Sequence, residues 1–395
     1  MNLSVRTKVK ALAGNDVVTS ALFVQFLTSV AFGLIGSFMP LFINSDLGES
    51  LIDATYWTAV IQLISSCAMA ITAPFWGWMC DRFGPKRIML TVLTVNTVVF
   101  ACMAFSTSVL HIIIFRSLQS AFGGFSTVMF SLVALVSPPG QLKKVLSYQI
   151  AAMTVGQLVS PGIGGGLAVI IGYRLTLIAS SLMFIAIIPV AYRLRFPKVQ
   201  KGQRGTSSFN ITDVKALMPD VVALVLIYIC IGFIVPIIPW NFEFLGVPND
   251  QLLIYTTITT VLNAAAFAVA TPLLSSRVSV RALPILSIGA AFAIEATAFA
   301  VNPIVFLVLR IAIGGVQAGI PPNLLGGRSG RKGTGMGILN SARFVGMGLG
   351  PFLATTILGD GKGPRPVFMY TGMAAISVTC AIFLYATHTK DTSSN

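Results

Sequence analysis

Between Ile88 and Ser106 the chain carries no charged residue, and apolar runs of this kind recur from one end to the other. A helix rises about 1.5 Å per residue, so roughly 20 such residues cross the ~30 Å hydrocarbon core of a bilayer. Within that core every backbone N–H and C=O has to find its partner inside the protein, which leaves only helices or closed barrels. Barrel strands alternate over about ten residues, and these runs are longer and unbroken. Composition agrees, with 55% hydrophobic and 10% charged residues against about a quarter charged in soluble domains. We read twelve spans, near residues 17–43, 52–79, 88–106, 109–136, 142–171, 174–193, 221–242, 251–275, 282–301, 304–325, 335–358 and 366–387. They predict an all-α integral membrane protein of twelve transmembrane helices.

The net charge of +14 suits a nucleic-acid partner in a soluble protein, but here its placement follows topology. With the amino terminus on the cytoplasmic side, 20 of the 26 Lys and Arg fall on that side; Arg174, Lys362 and Arg365 fall outside, and Arg116, Arg310 and Arg343 lie within spans. That positive-inside bias sets both termini in the cytoplasm, with no nucleic acid needed to explain the charge. The five cysteines sit in or at the edge of apolar runs without paired spacing, and His111 and His388 form no ligand pair. They predict neither disulfide nor metal, and no cofactor. The Gly-rich run from Gly326 to Gly333 lacks the order of a phosphate loop, so an ATP-hydrolysing enzyme is not expected.

Residues 195–218 are the one polar, basic, Gly/Ser-bearing interval inside the chain. They read as a cytoplasmic linker between an amino-terminal six-helix bundle, 1–194, and a carboxy-terminal one, 219–395. The halves echo each other. Arg116 and Arg310 are 194 residues apart; Gly156 with Pro161 and Gly346 with Pro351 are 190 apart; Pro74 and Pro272 are 198 apart. Matches in the same order at nearly half the chain length point to a duplicated unit, hence two pseudo-symmetric bundles of a transporter.

The segment Gly77, Asp81, Arg82, Gly84, Lys86, Arg87 resembles the loop motif G-x-x-x-D-R-x-G-R-[KR] of the major facilitator superfamily, with Pro85 in place of the first basic residue. Gly156, Pro161, Gly164 and Gly165 in the fifth span resemble the antiporter motif G-x-x-x-G-P-x-x-G-G of its drug:proton antiporter branch, with Ser160 replacing a glycine. Arg116 and Gln119 match R-x-x-Q-G, with Ser120 in the glycine position. The resemblance covers the whole chain and looks like the bacterial multidrug efflux type. It implies that the acid of the loop motif engages the start of the eleventh helix and biases the protein toward one of two openings, and that the fifth-span glycines seal one half against the other.

A guanidinium within the bilayer costs about 3 kcal/mol or more unless it faces a polar cavity or bonds to protein groups. Arg116 either lines such a cavity or bonds carbonyls between helices, and Gln119 shares its face. By helical spacing and the helix arrangement that the resemblance implies, Gln25, Arg116, Gln119, Asn263, Arg310, Gln317, Asn340 and Arg343 are expected to supply cavity polar groups. Phe26, Phe233, Phe267 and Phe344 are expected to be its apolar walls. Glu295, Glu243 and Arg116 are the candidates for proton coupling. The resemblance thus implies a monomeric secondary transporter of the inner membrane, working by alternating access to export small organic molecules against protons. Import or specific export of an anionic or zwitterionic metabolite or siderophore stays open beside it. A non-transporting receptor has no need of buried arginines or duplicated halves.

Overall fold

The computed structural model describes residues 16–137, 140–193, 211–234, 237–248, 251–275, 277–326, 333–358 and 366–393, almost all of them helical. Ten segments are long and apolar enough to cross a membrane, and Leu283–Ala298 and Gly333–Leu358 complete the expected twelve. The helices are α1 (Asp16–Gly33), α2 (Met39–Leu47), α3 (Leu51–Phe83), α4 (Pro85–Ala104), α5 (Val109–Ala121), α6 (Phe125–Val136), α7 (Leu142–Ile171) and α8 (Tyr173–Arg193). They continue with α9 (Ile211–Phe233), α10 (Ile237–Phe244), α11 (Leu252–Ser275), α12 (Leu283–Ala298), α13 (Pro303–Gln317), α14 (Ile320–Leu325), α15 (Gly333–Leu358) and α16 (Pro366–Ser393).

Helix number exceeds span number because the first, fourth, seventh and tenth crossings are each built of two helices. The sequence expects single spans there, and local chemistry explains the breaks. In the fourth crossing Gly123 and Gly124 part α5 from α6, and the Trp76 ring occupies the place where a Gly124 side chain would stand. The carbonyls freed by the break are taken up by side chains: Trp76 Nε1 donates to Ala121 O at 2.7 Å, and Asn96 Nδ2 donates to Phe122 O at 3.1 Å. In the tenth crossing Asn323 Nδ2 donates to Gly319 O at 2.8 Å, beside the break between α13 and α14. Side chains from the protein thereby replace the backbone bonds that lipid cannot supply.

Helix starts repeat as well. Ser108 Oγ accepts from His111 N at the head of α5, and Asn302 Oδ1 accepts from Val305 N at 2.9 Å at the head of α13, filling orphan donors of each first turn. Gly84 ends α3 at φ +88 and Gly172 ends α7 at φ +84, a left-handed backbone that a side chain would strain. Each glycine leads directly into the next, antiparallel helix.

The chain falls into two compact units. The first comprises Met1–Asn210 with Gly330–Asn340, and the second Ile211–Ser329 with Ser341–Asn395, so that α15 is divided between them. In the first, α1 packs on α7, α3 on α5, and α4 on α8. Phe32, Phe100 and Phe184 meet at its centre, with ring centroids 4.9 Å apart for Phe32–Phe184 and 5.3 Å for Phe100–Phe184. In the second, α12 packs on α16, α11 on α13, and α9 on α16, around Phe242, Phe306 and Tyr370. Phe242 meets Phe306 edge-on at 5.0 Å, a favoured aromatic geometry.

The seventh crossing starts at Ile211, earlier than the span read from residue 221. Of the linker expected over 195–218, residues 211–218 are therefore helical, and 195–210 lie outside the described residues. Of the cations counted on the cytoplasmic side, Arg6, Lys8 and Lys10 near the amino terminus, and Arg328, Arg331 and Lys332 of the Gly-rich run, also lie outside them.

Candidate functional site

Asp81, in the last turn of α3, makes the most elaborate polar contact of the loop motif. Its carboxylate accepts from Gly333 N at 2.7 Å, Thr334 N at 2.8 Å and Thr334 Oγ1 at 2.7 Å. These are first-turn donors of α15, so Asp81 acts as a cap supplied by another helix and meets the positive end of the helix dipole. Small residues allow the approach. A Cβ added at Gly77 would run into the Gly333 carbonyl, and one added at Gly337 into the carbonyl of Ala73. The motif cations do other work: Arg82 stacks on Trp78 at 5.3 Å and Phe83 at 5.4 Å, and Lys86 lies 5.0 Å over the Tyr192 ring. Arg87 is exposed.

Further along α15, fully buried Asn340 donates from Nδ2 to Ser126 Oγ at 2.9 Å and Thr127 Oγ1 at 2.8 Å on α6. Gln25 on α1 donates to Ser29 Oγ at 2.8 Å and accepts from Gln149 Nε2 of α7 at 2.7 Å. Half-buried Arg116 donates from Nη1 to Gln119 Oε1 at 2.6 Å, the pairing that their spacing on one helix face suggests. Phe26 is half-buried, and its carbonyl lies where a Gly156 side chain would point.

The fifth-span glycines divide by face. Gly156 and Gly164 lie against α1 and the turn after it, where a Cβ would strike Ser29, Phe26 or Leu34; Ser160 packs against Gly33 in the same row. Gly162, Gly165 and Gly166 have nothing within 4 Å of an added Cβ, and Pro161 is exposed. A helix has only one face toward a given neighbour.

In the second unit Arg310 on α13 is buried, and its backbone carbonyl accepts from Asn263 Nδ2 of α11 at 2.5 Å. Gln317 is buried two turns later, and Phe267 on α11 is half-buried. Arg343 is buried over Phe344 at 4.9 Å and Tyr228 at 5.8 Å. Phe233 is buried at the end of α9. Glu243 is exposed on α10, and half-buried Glu295 on α12 accepts from Thr371 Oγ1 of α16 at 3.0 Å.

Gln149, Ser126 and Thr127 escape sequence reasoning because small and amide polar groups are common in spans; only their contacts give them away. Asp220 is a different case. It lies in α9 at 2% exposure, although it falls just outside the span read from residue 221. Tyr370, fully buried near Arg310, carries no sequence signal of its own.

A family model, Major Facilitator Superfamily, matches residues 21–351. The chain belongs to the Major Facilitator Superfamily. It is accordingly a multi-pass membrane protein of that superfamily. It is 27% identical over 203 residues to "Multi-drug resistance efflux pump PmrA" of Streptococcus pneumoniae, covering 51% of each chain. It is 30% identical over 223 residues to "Multidrug resistance protein MdtG" of Rahnella sp., covering 54% of this chain and 53% of that one. The chain thus spans about half the length of these relatives. Among solved structures, a major facilitator proton:xylose symporter, XylE, superposes with TM-score 0.74 at 15% identity, covering 94% of this chain and 96% of that one. The human organic anion transporter MFSD10 gives 0.70 at 17%, covering 93% and 98%. At such identity these two speak for the fold alone.

Proposed function

We propose that this transporter exports small organic molecules across the cytoplasmic membrane by alternating access, with both termini in the cytoplasm and proton entry driving the return. The relatives named for multidrug efflux support the direction and the broad substrate class. The observation that carries the mechanism is the Asp81 carboxylate on the first turn of α15. A transporter needs a contact strong enough to hold one opening shut and weak enough to release within each cycle. A side-chain cap is worth about 1–2 kcal/mol, and about 1.4 kcal/mol is a tenfold shift in an equilibrium. Asp81 therefore biases the two openings without locking either. Gly77, Gly333 and Gly337 give α3 and α15 a side-chain-free track along which that contact is made and broken. We assign polar contact with substrate to Gln25, Arg116, Gln119 and Asn340 within the first unit and, separately, to Asn263, Arg310, Gln317 and Arg343 within the second.

Reconstituted protein in proteoliposomes with an acidic interior is expected to accumulate ethidium, and to stop when nigericin collapses the gradient. Asp81→Ala should lower that rate about tenfold while ethidium affinity changes less than about threefold, because the substitution shifts a conformational balance rather than a binding surface. A gradient that moves neither ethidium nor the organic anion p-aminohippurate through the unmodified protein removes the exporter reading.

A further inference from the structure

The duplicated arginines are not equivalent. Arg116 spends its Nη1 on Gln119 at 2.6 Å within its own helix, leaves only its Nε unpartnered among buried nitrogens, and remains half-buried. Its repeat mate Arg310 is 5% exposed, and its Nε and Nη1 have no hydrogen-bond partner among the described residues. Tyr370 lies within electrostatic reach of that guanidinium, is fully buried, and has an equally unpartnered hydroxyl. The Nε2 of Gln317, two turns along the same helix, is a third buried donor without an acceptor. Asn263 holds the helix at this point by bonding the Arg310 carbonyl, so the backbone is fixed while the side chain's donors are left over.

A buried guanidinium without an acceptor is costly, and proteins otherwise pair such a charge. The nitrogens left over are donors and the Tyr370 hydroxyl can donate as well, so an oxygen-rich anion would satisfy them together. Each planar edge of the guanidinium, Nε with Nη2 or Nη1 with Nη2, matches the two oxygens of a carboxylate, and each edge carries one of the unpartnered donors. We infer that Arg310, with the Tyr370 hydroxyl, is the recognition site for the carboxylate of an amphipathic organic anion carried by this transporter. Gln317, about 10 Å further along the axis, supplies a second polar contact at a distance matching a small organic molecule. The assignment rests on the exporter reading and narrows its substrate class.

The test compares p-aminohippurate, an aromatic carboxylate, with ethidium, a permanent cation, in the same acid-interior proteoliposomes. Unmodified protein is expected to accumulate both. Arg310→Gln should raise the KM for p-aminohippurate about tenfold more than that for ethidium, with Arg310→Lys intermediate because it keeps the charge and loses the fork. Tyr370→Phe retains the ring against Phe306 and should raise the p-aminohippurate KM roughly threefold, which decides the matter if Arg310→Gln fails to fold. A purely structural role for the pair would change both substrates alike. Accumulation of ethidium without p-aminohippurate, or an unchanged ratio of the two KM values in the variants, overturns the inference and leaves the exporter reading standing. Movement of neither substrate removes both.

Discussion

Arg174 gathers three pieces of chain at the end of the first unit opposite Asp81. Its Nε donates to Asp46 Oδ2 at 3.0 Å, and its Nη1 to the carbonyls of Ala104 at 2.8 Å and Ser106 at 2.9 Å; the guanidinium lies 5.6 Å over the Phe42 ring. The ion pair is half in solvent and contributes about 0–1 kcal/mol, but the two carbonyls close the end of α4 and would lose their donor. Arg174→Ala should destabilise the protein by about 1–3 kcal/mol, and Arg174→Lys by nearly as much, since a single ammonium cannot reach all three oxygens. Thermal unfolding in detergent checks this; a midpoint equal to that of the unmodified protein would show the contacts to be incidental. Sequence reasoning places Arg174 outside the membrane and no more, because its partners are 128, 70 and 68 residues away. Asp81 contrasts with it, since a resemblance names its partner helix, whereas the three donors at 2.7–2.8 Å are visible only in the structure.

At the scale of the element, α7 and α15 are the same device built twice. A Cβ at Gly156 would strike Ser29 Cβ, the Phe26 carbonyl and Val30 N; one at Gly346 would strike Tyr228 Cβ, the Val225 carbonyl and Ile229 N. Those contacts on α1 and α9 correspond atom for atom, as duplication requires. Adding bulk to such a seam costs about 1–3 kcal/mol through overpacking. Gly156→Val and Gly346→Val should therefore each lower the unfolding midpoint and the ethidium transport rate. Gly165→Ala, on the open face of α7, should leave the midpoint unchanged or raise it by about 1–2 °C, through a helix-propensity gain of about 1 kcal/mol. Comparable losses at all three positions would contradict the division of faces. The motif spacing makes these glycines conspicuous, but which of them touch a neighbour depends on helix rotation, and a span apolar all round does not encode its own rotation.

For the whole molecule, coupling is a question of where a proton rests. Glu295 is half-buried and bonded to Thr371, Asp220 is buried in α9, and Glu243 is exposed. We expect Glu295→Gln, which can still accept from Thr371, to lower gradient-driven ethidium uptake about tenfold and leave exchange without a gradient within about twofold. The same split produced by Asp220→Asn instead would move the proton to α9; loss of both activities would mark a structural residue. Twelve crossings, the duplication and the candidate acids and cations follow from the sequence, because hydrocarbon tolerates only apolar helices and makes each exception conspicuous. Only the tertiary structure decided that four crossings are broken, that α15 is divided between the units, and that Gln119 takes up the Nη1 of Arg116 while the Nη1 of Arg310 has no such partner among the described residues. Those outcomes depend on which side chains meet across distant helices, and spacing along one helix carries no record of its neighbours.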